Sequence, residues 1–144
     1  FMAPVLNGVR TQFLTTRAAA RHMIPARRGV ILAFGGTGDT FAKLGGLTVG
    51  LDAIEALRRQ WSVELGPHNI RVVTLQTGGI TETIPPDMPG GAEIIKSLED
   101  STLLGRAATL ADVGEAAAFV ASDKARTITG SAINITCGAI LDYR

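Results

Sequence analysis

Residues able to move a proton or grip a ligand are sparse in this chain. There is one tyrosine, Tyr143, close to the C-terminal end, and one cysteine, Cys137. A lone cysteine closes no intrachain disulfide and builds no thiolate cluster for a metal, so no metal site is read here. Gly35-Gly36-Thr37-Gly38 follows an apolar run, where a phosphate-cradling turn could sit. Taken as a dinucleotide turn, Gly36-x-Gly38 puts Phe41 where the third glycine belongs, and no Gly-Lys-Ser/Thr ending follows for a mononucleotide loop. The cluster reads instead as a flexible loop. Arg17, Arg21, His22, Arg27 and Arg28 form the one local basic excess. They read as cations near the C-terminal end of a helix, with a phosphate site as the alternative.

The elements that must position these groups are legible from periodicity. Val5, Leu6, Val9, Phe13 and Leu14, continued by Ala18 to Ala20, recur at three-and-four spacing and predict a helix from Ala3 to Met23, stopped by Pro25. Val30 to Phe34 is a short continuous apolar run, the pattern of a strand covered on both faces. Leu47, Leu51, Ile54, Leu57, Trp61 and Leu65 predict a second helix that ends at Gly66-Pro67. Arg71 to Leu75 is β-branched and reads as a strand. An irregular stretch around Pro85 to Gly91 then leads to a short helix from Ala92 to Leu98. Thr109 followed by Asp112 has the capping pattern of a helix that runs to Ala121. A last strand spans Ala132 to Thr136. Strands alternating with helices imply parallel βαβ units with right-handed crossovers.

Composition sets the frame. The chain has 144 residues, the size of one domain, with 46% hydrophobic and 19% charged residues. Its formal net charge of +1 gives no electrostatic case for nucleic acid or an anionic membrane. No apolar run approaches the roughly 20 residues that span a bilayer. A cytoplasmic, reducing setting is the expectation. Phe1 precedes Met2 and the chain enters a helical pattern almost at once, which reads as a piece of a longer protein.

Several segments in order resemble the short-chain dehydrogenase/reductase family. Thr16 to Ala19, His22-Met23 and Gly29 to Ile31 look like that family's fourth helix running into its fifth strand. Gly46 to Arg71, with Glu64-Leu65-Gly66-Pro67, looks like the active-site helix and the start of the sixth strand. Gly105-Arg106, Asp112 to Ala117 and Phe119 to Asp123 match the last helix. Ile128-Thr129-Gly130 with Ile133 to Ile135 matches the final strand. The resemblance implies an α/β, Rossmann-like doubly wound parallel sheet, of which residues 1–144 form the C-terminal half as one domain of about three strands with flanking helices.

The family's chemistry moves a hydride between NAD or NADP and a carbonyl or alcohol carbon. A Tyr-x-x-x-Lys pair handles the proton, with a Ser and an Asn in support. The resemblance places the Tyr at Leu47 and the Lys at Leu51. It places the Ser at Gly36 and the Asn at Gly8, beside Asn7. Aliphatic carbons neither donate nor accept a proton, so no catalytic residue is assigned. Relocated groups in the loop before the helix, Thr37, Asp39, Thr40 and Lys43, read as solvated residues.

Cofactor contact is better kept. The family's Pro-Gly-x-Ile-x-Thr segment reads here as Thr77-Gly78-Gly79-Ile80-Thr81-Glu82, so Thr77, Gly78 and Ile80 are the cofactor-binding candidates. Glycines packed in a strand-to-loop turn explain the same residues equally well. Two functions follow as expectations. One is a divergent NAD(P)-dependent oxidoreductase acting on a small molecule and inactive as this chain alone. The other is a non-catalytic scaffold, binding or assembly protein that kept the fold. The expected partners are a second copy or a complementing N-terminal half, because the strand at Val30 to Phe34 would otherwise carry an open edge.

Overall fold

Three parallel strands and four α-helices alternate along residues 1–35 and 44–141, the part of the chain that the computed structural model describes. In chain order they are α1 (Met2–Ala26), β1 (Gly29–Gly35), α2 (Gly46–Leu65), β2 (Ile70–Thr77), α3 (Gly91–Asp100), α4 (Leu110–Ala121) and β3 (Ala132–Ile135). The sheet order is β1-β2-β3. Gly29 pairs with Ile70 and Gly35 with Gln76; Thr74 pairs with Ala132 and Thr77 with Ile135. Parallel neighbours need a crossover, and α2 supplies the first while α4 belongs to the second. The α/β parallel architecture read from the sequence is the one observed.

Strand alternation divides the core into two layers. Ile31, Ile70 and Val72 point to one face, where Trp61 and Leu65 of α2 and Ala20, Met23 and Ile24 of α1 cover them. Leu32, Val73 and Leu75 point to the other, against Val113, Ala117 and Val120 of α4. Each large aliphatic side chain buried this way contributes about 1.5–3 kcal/mol relative to exposure. At the other end of α2, small residues let α1 come close: a Cβ on Gly50 would stand 3.4 Å from the Val5 Cα.

Two local expectations need correction. Pro25 does not stop α1 before itself; it sits in the last turn, and the helix runs to Ala26. The missing N–H removes only one bond there, and Arg27 leaves through the left-handed region at φ 49, its N–H bonded to the Ile24 carbonyl at 3.1 Å. The β1 run is not covered on both faces, because Phe34 is 50% exposed. α4 reaches β1 at Leu32, but among the described residues Phe34, two positions on along the same face, is left half exposed. α2 ends at Leu65 as read, and Gly66, right-handed at φ −54, continues into a short 3-10 turn. The left-handed residue is Asn69 (φ 61).

Candidate functional site

As the crossover between parallel strands, α2 runs back along the sheet, so its N-terminus stands at the C-terminal ends of β1 and β2. Open α/β sheets take ligands at that end. Three pieces converge there: the first turns of α2, the end of β1 at Gly35, and the loop from Thr77 to Ile84.

On α2 the two proton-transfer positions hold aliphatic side chains. Leu47 is 45% exposed and Leu51 is half-buried, one turn deeper. Gly8 lies on α1 beneath them, and a Cβ there would meet the Ile54 Cδ1 at 3.5 Å. Its neighbour Asn7 is exposed. Gly36, Thr37, Gly38, Asp39, Thr40, Phe41, Lys43 and Tyr143 lie outside the described residues.

The cofactor candidates share the turn after β2. Thr77 is the last residue of β2 and pairs with Ile135. Gly78 is half-buried against Thr136 and Ala139 of the turn that follows β3. Ile80 is 8% exposed and its side chain packs with Val73, Leu75 and Val113, so any ligand contact there belongs to the backbone. Among the described residues, the N–H groups of Gly79 and Ile80 have no backbone acceptor, whereas the Ile80 carbonyl accepts from the Thr83 N–H at 3.0 Å. Backbone donors left open at the strand ends can serve the oxygen of an amide ligand.

Past this turn the loop is anchored at both ends. Glu82 Oε2 accepts from the Leu110 N–H at the start of α4, at 2.5 Å. Leu98 of α3 closes over Gly79. No group of three or more His, Cys, Asp or Glu side chains gathers as a metal site among the described residues. No helix there is long and apolar enough to cross a membrane.

Sequence reading missed a cluster of buried polar side chains beneath the site. Glu55 and Arg58 lie on the sheet-facing side of α2, each 7% exposed, and Thr74 on β2 is 1% exposed. Arg58 Nε donates to Glu55 Oε2 at 2.9 Å, and the Thr74 hydroxyl donates to Glu55 Oε1. A signal was present. Arg58 falls on the same helical stripe as Leu51, Ile54, Trp61 and Leu65, a charged residue where the period calls for an apolar one.

A parallel sheet with helices on both faces, and a crossover helix aimed at the strand ends beside a glycine turn, defines a Rossmann-like domain. The chain belongs to the short-chain dehydrogenase/reductase family: residues 7–139 match the family model described as enoyl-(acyl carrier protein) reductase. It is 31% identical over 134 residues to cyclopentanol dehydrogenase of Comamonas sp., covering 90% of this chain and 53% of that protein. It is 36% identical over 85 residues to an enoyl-acyl-carrier-protein reductase (NADH) of Synechocystis sp., covering 59% of this chain and 33% of that protein. Among solved structures, a short-chain dehydrogenase/reductase from Serratia marcescens superimposes with a TM-score of 0.80 at 26% identity, over 92% of this chain and 53% of that one. The chain spans about half the length of the curated relatives that it matches over most of its own length.

Proposed function

We propose that this protein is a divergent NAD(P)-dependent oxidoreductase of the short-chain dehydrogenase/reductase type, acting on a carbonyl or alcohol group of a small molecule. The observation that carries the reading is the turn after β2, where the N–H groups of Gly79 and Ile80 have no backbone acceptor among the described residues. Open backbone donors suit the carboxamide oxygen of a nicotinamide, and Thr77 and Gly78 belong to the same turn. A bound nicotinamide would supply the hydride. What this chain supplies is the backbone grip on the amide and an apolar wall from Leu47 and Leu51 that excludes water. Because the chain spans about half of its relatives, turnover is expected of the completed fold, not of residues 1–144 by themselves.

Leu47 and Leu51 favour a second reading, a scaffold or binding protein that keeps the fold without the chemistry. One experiment separates the two. The protein carrying this segment is titrated with NADH and NADPH, then assayed against a panel of ketones and aldehydes. The oxidoreductase reading expects reduced-nicotinamide binding and turnover on at least one carbonyl, raised by Leu47→Tyr with Leu51→Lys. Binding without turnover in either form leaves the scaffold reading standing. Assembly belongs to the same proposal. Leu6, Phe13 and Leu14 are exposed on α1, and light scattering that shows a stable, well-folded monomer would remove it.

A further inference from the structure

α2 faces the sheet with a stripe of Leu51, Ile54, Trp61 and Leu65, and into it the chain sets a carboxylate and a guanidinium. Glu55 is held by two donors, Arg58 Nε at 2.9 Å and the Thr74 hydroxyl of β2. Among the described residues, Arg58 Nη1 is buried without a hydrogen-bond partner. A buried pair of this kind is weak evidence of added stability. Replacing a buried ion pair by apolar side chains of similar volume is often neutral or stabilising, and an orphaned buried donor adds a further penalty.

Its location suggests another use. A Cβ built on Gly35 would stand 3.8 Å from Glu55 Oε1 and 3.2 Å from the Thr74 Cγ2. The carboxylate therefore lies against the end of β1, is bonded to β2 through Thr74, and belongs to α2. Leu51 is one helical turn from it and Leu47 two turns, both toward the strand ends. Three elements that build the cleft meet at one charged group just beneath it. We propose that Glu55 is a positioning residue: with Arg58 and Thr74 it fixes where the first two turns of α2 stand against the ends of β1 and β2. It thereby sets the shape of the cleft that takes the nicotinamide. This rests on the nicotinamide reading above.

The test uses the full protein that carries this chain. Glu55→Leu with Arg58→Met removes the pair and keeps its volume; Glu55→Gln keeps the shape and one accepting oxygen for Arg58, while its NH2 can donate to the Thr74 hydroxyl turned as acceptor. The double variant is expected to melt at or above the wild-type temperature. It should nonetheless bind NADPH about tenfold more weakly, the size of a typical coupling between sites, and exchange the backbone amides of residues 46–51 about tenfold faster. Exchange in residues 70–73 should stay as in the wild type, and Glu55→Gln should recover both properties. A double variant with wild-type NADPH affinity and wild-type exchange at 46–51 overturns the proposal. If the double variant does not fold, Thr74→Val, which cuts only the link to β2, replaces it with the same two measurements. If the wild type binds neither NADH nor NADPH, the nicotinamide reading fails, and amide exchange alone then decides the role of Glu55.

Discussion

Gly78 sits so close to Ala139 that a methyl group on it would lie 3.1 Å from the Ala139 Cβ and 3.3 Å from the Thr136 Cβ. This contact clamps the turn after β2 onto the turn after β3. Its neighbour Gly79 is more constrained, with φ +114 and a Cβ position only 2.8 Å from Leu98 Cδ2. The backbone conformation calls for glycine at 79, and at 78 an added methyl would have to push its neighbours by a few tenths of an ångström, whatever a ligand adds. Gly78→Ala is expected to destabilise by about 1–3 kcal/mol through overpacking. Gly79→Ala should lose about 1–3 kcal/mol more, because an L side chain is strained at that φ. Urea unfolding ranks the two. A Gly78→Ala protein with unchanged stability and weakened NAD(P)H binding would shift the explanation of Gly78 from packing to ligand contact.

On the opposite flank, Arg71 of β2 stitches the end of α4 to the sheet. Its Nη2 donates to the Val120 carbonyl at 2.7 Å and the Ser122 carbonyl at 3.1 Å, and its Nη1 to the Ile128 carbonyl at 3.2 Å. The first two acceptors lie at the helix C-terminus, where a cation is favoured. One guanidinium spans them because its donors fork in a plane, which an ammonium cannot copy. Arg71→Met is expected to cost on the order of 1.5–3 kcal/mol, the worth of a hydrogen bond to a charged group, and Arg71→Lys should recover only part. Amide exchange in residues 122–130 should rise in both variants. A Lys variant as stable as the wild type would show that charge alone suffices.

The sequence made the layers legible because each is written in a period. The stripe from Leu47 to Leu65 and the β-branched run at Arg71 to Leu75 each mark one element, and their alternation marks a parallel sheet. Thr109 with Asp112 marked the start of α4 because a cap is a short-range device. Features that depend on what lies across the interface were hidden. Phe34 looks buried in its own run and is half exposed, although α4 packs on Leu32 of the same strand. The left-handed turn after α2 fell to Asn69, since Gly66 was drawn into a 3-10 turn. At the site, the aliphatic Leu47 and Leu51 were readable from spacing. The Glu55–Thr74 link was not, because it joins residues 19 apart in sequence through a strand register that only the folded sheet fixes.

The same cap gives a pH dependence with a definite sign. Asp112 Oδ2 accepts from the Thr109 N–H at 2.9 Å, the Thr109 hydroxyl at 2.8 Å and Arg106 Nη1 at 2.9 Å, while the Asp112 N–H donates to Thr109 Oγ1 at 3.1 Å. The Thr109 backbone bond foremost, then its hydroxyl and then Arg106, lower the Asp112 carboxyl to about 2 from an ordinary 3.8. The unfolded chain thus binds this proton at higher pH than the folded chain does. The stabilisation is complete above pH 3.8 and is lost as pH falls toward about 2. Asp112→Asn should match the wild type in acid and fall behind it only as pH rises through that window. Thr109→Ala should cost about 1 kcal/mol at neutral pH, as cap removals do. It should also return the Asp112 carboxyl toward its ordinary range. Arg106→Gln should matter less, since both partners of that ion pair are substantially exposed. Carboxyl-carbon NMR titration reads the Asp112 midpoint directly, and a wild-type midpoint near 3.8 would show that the cap does not hold the charge.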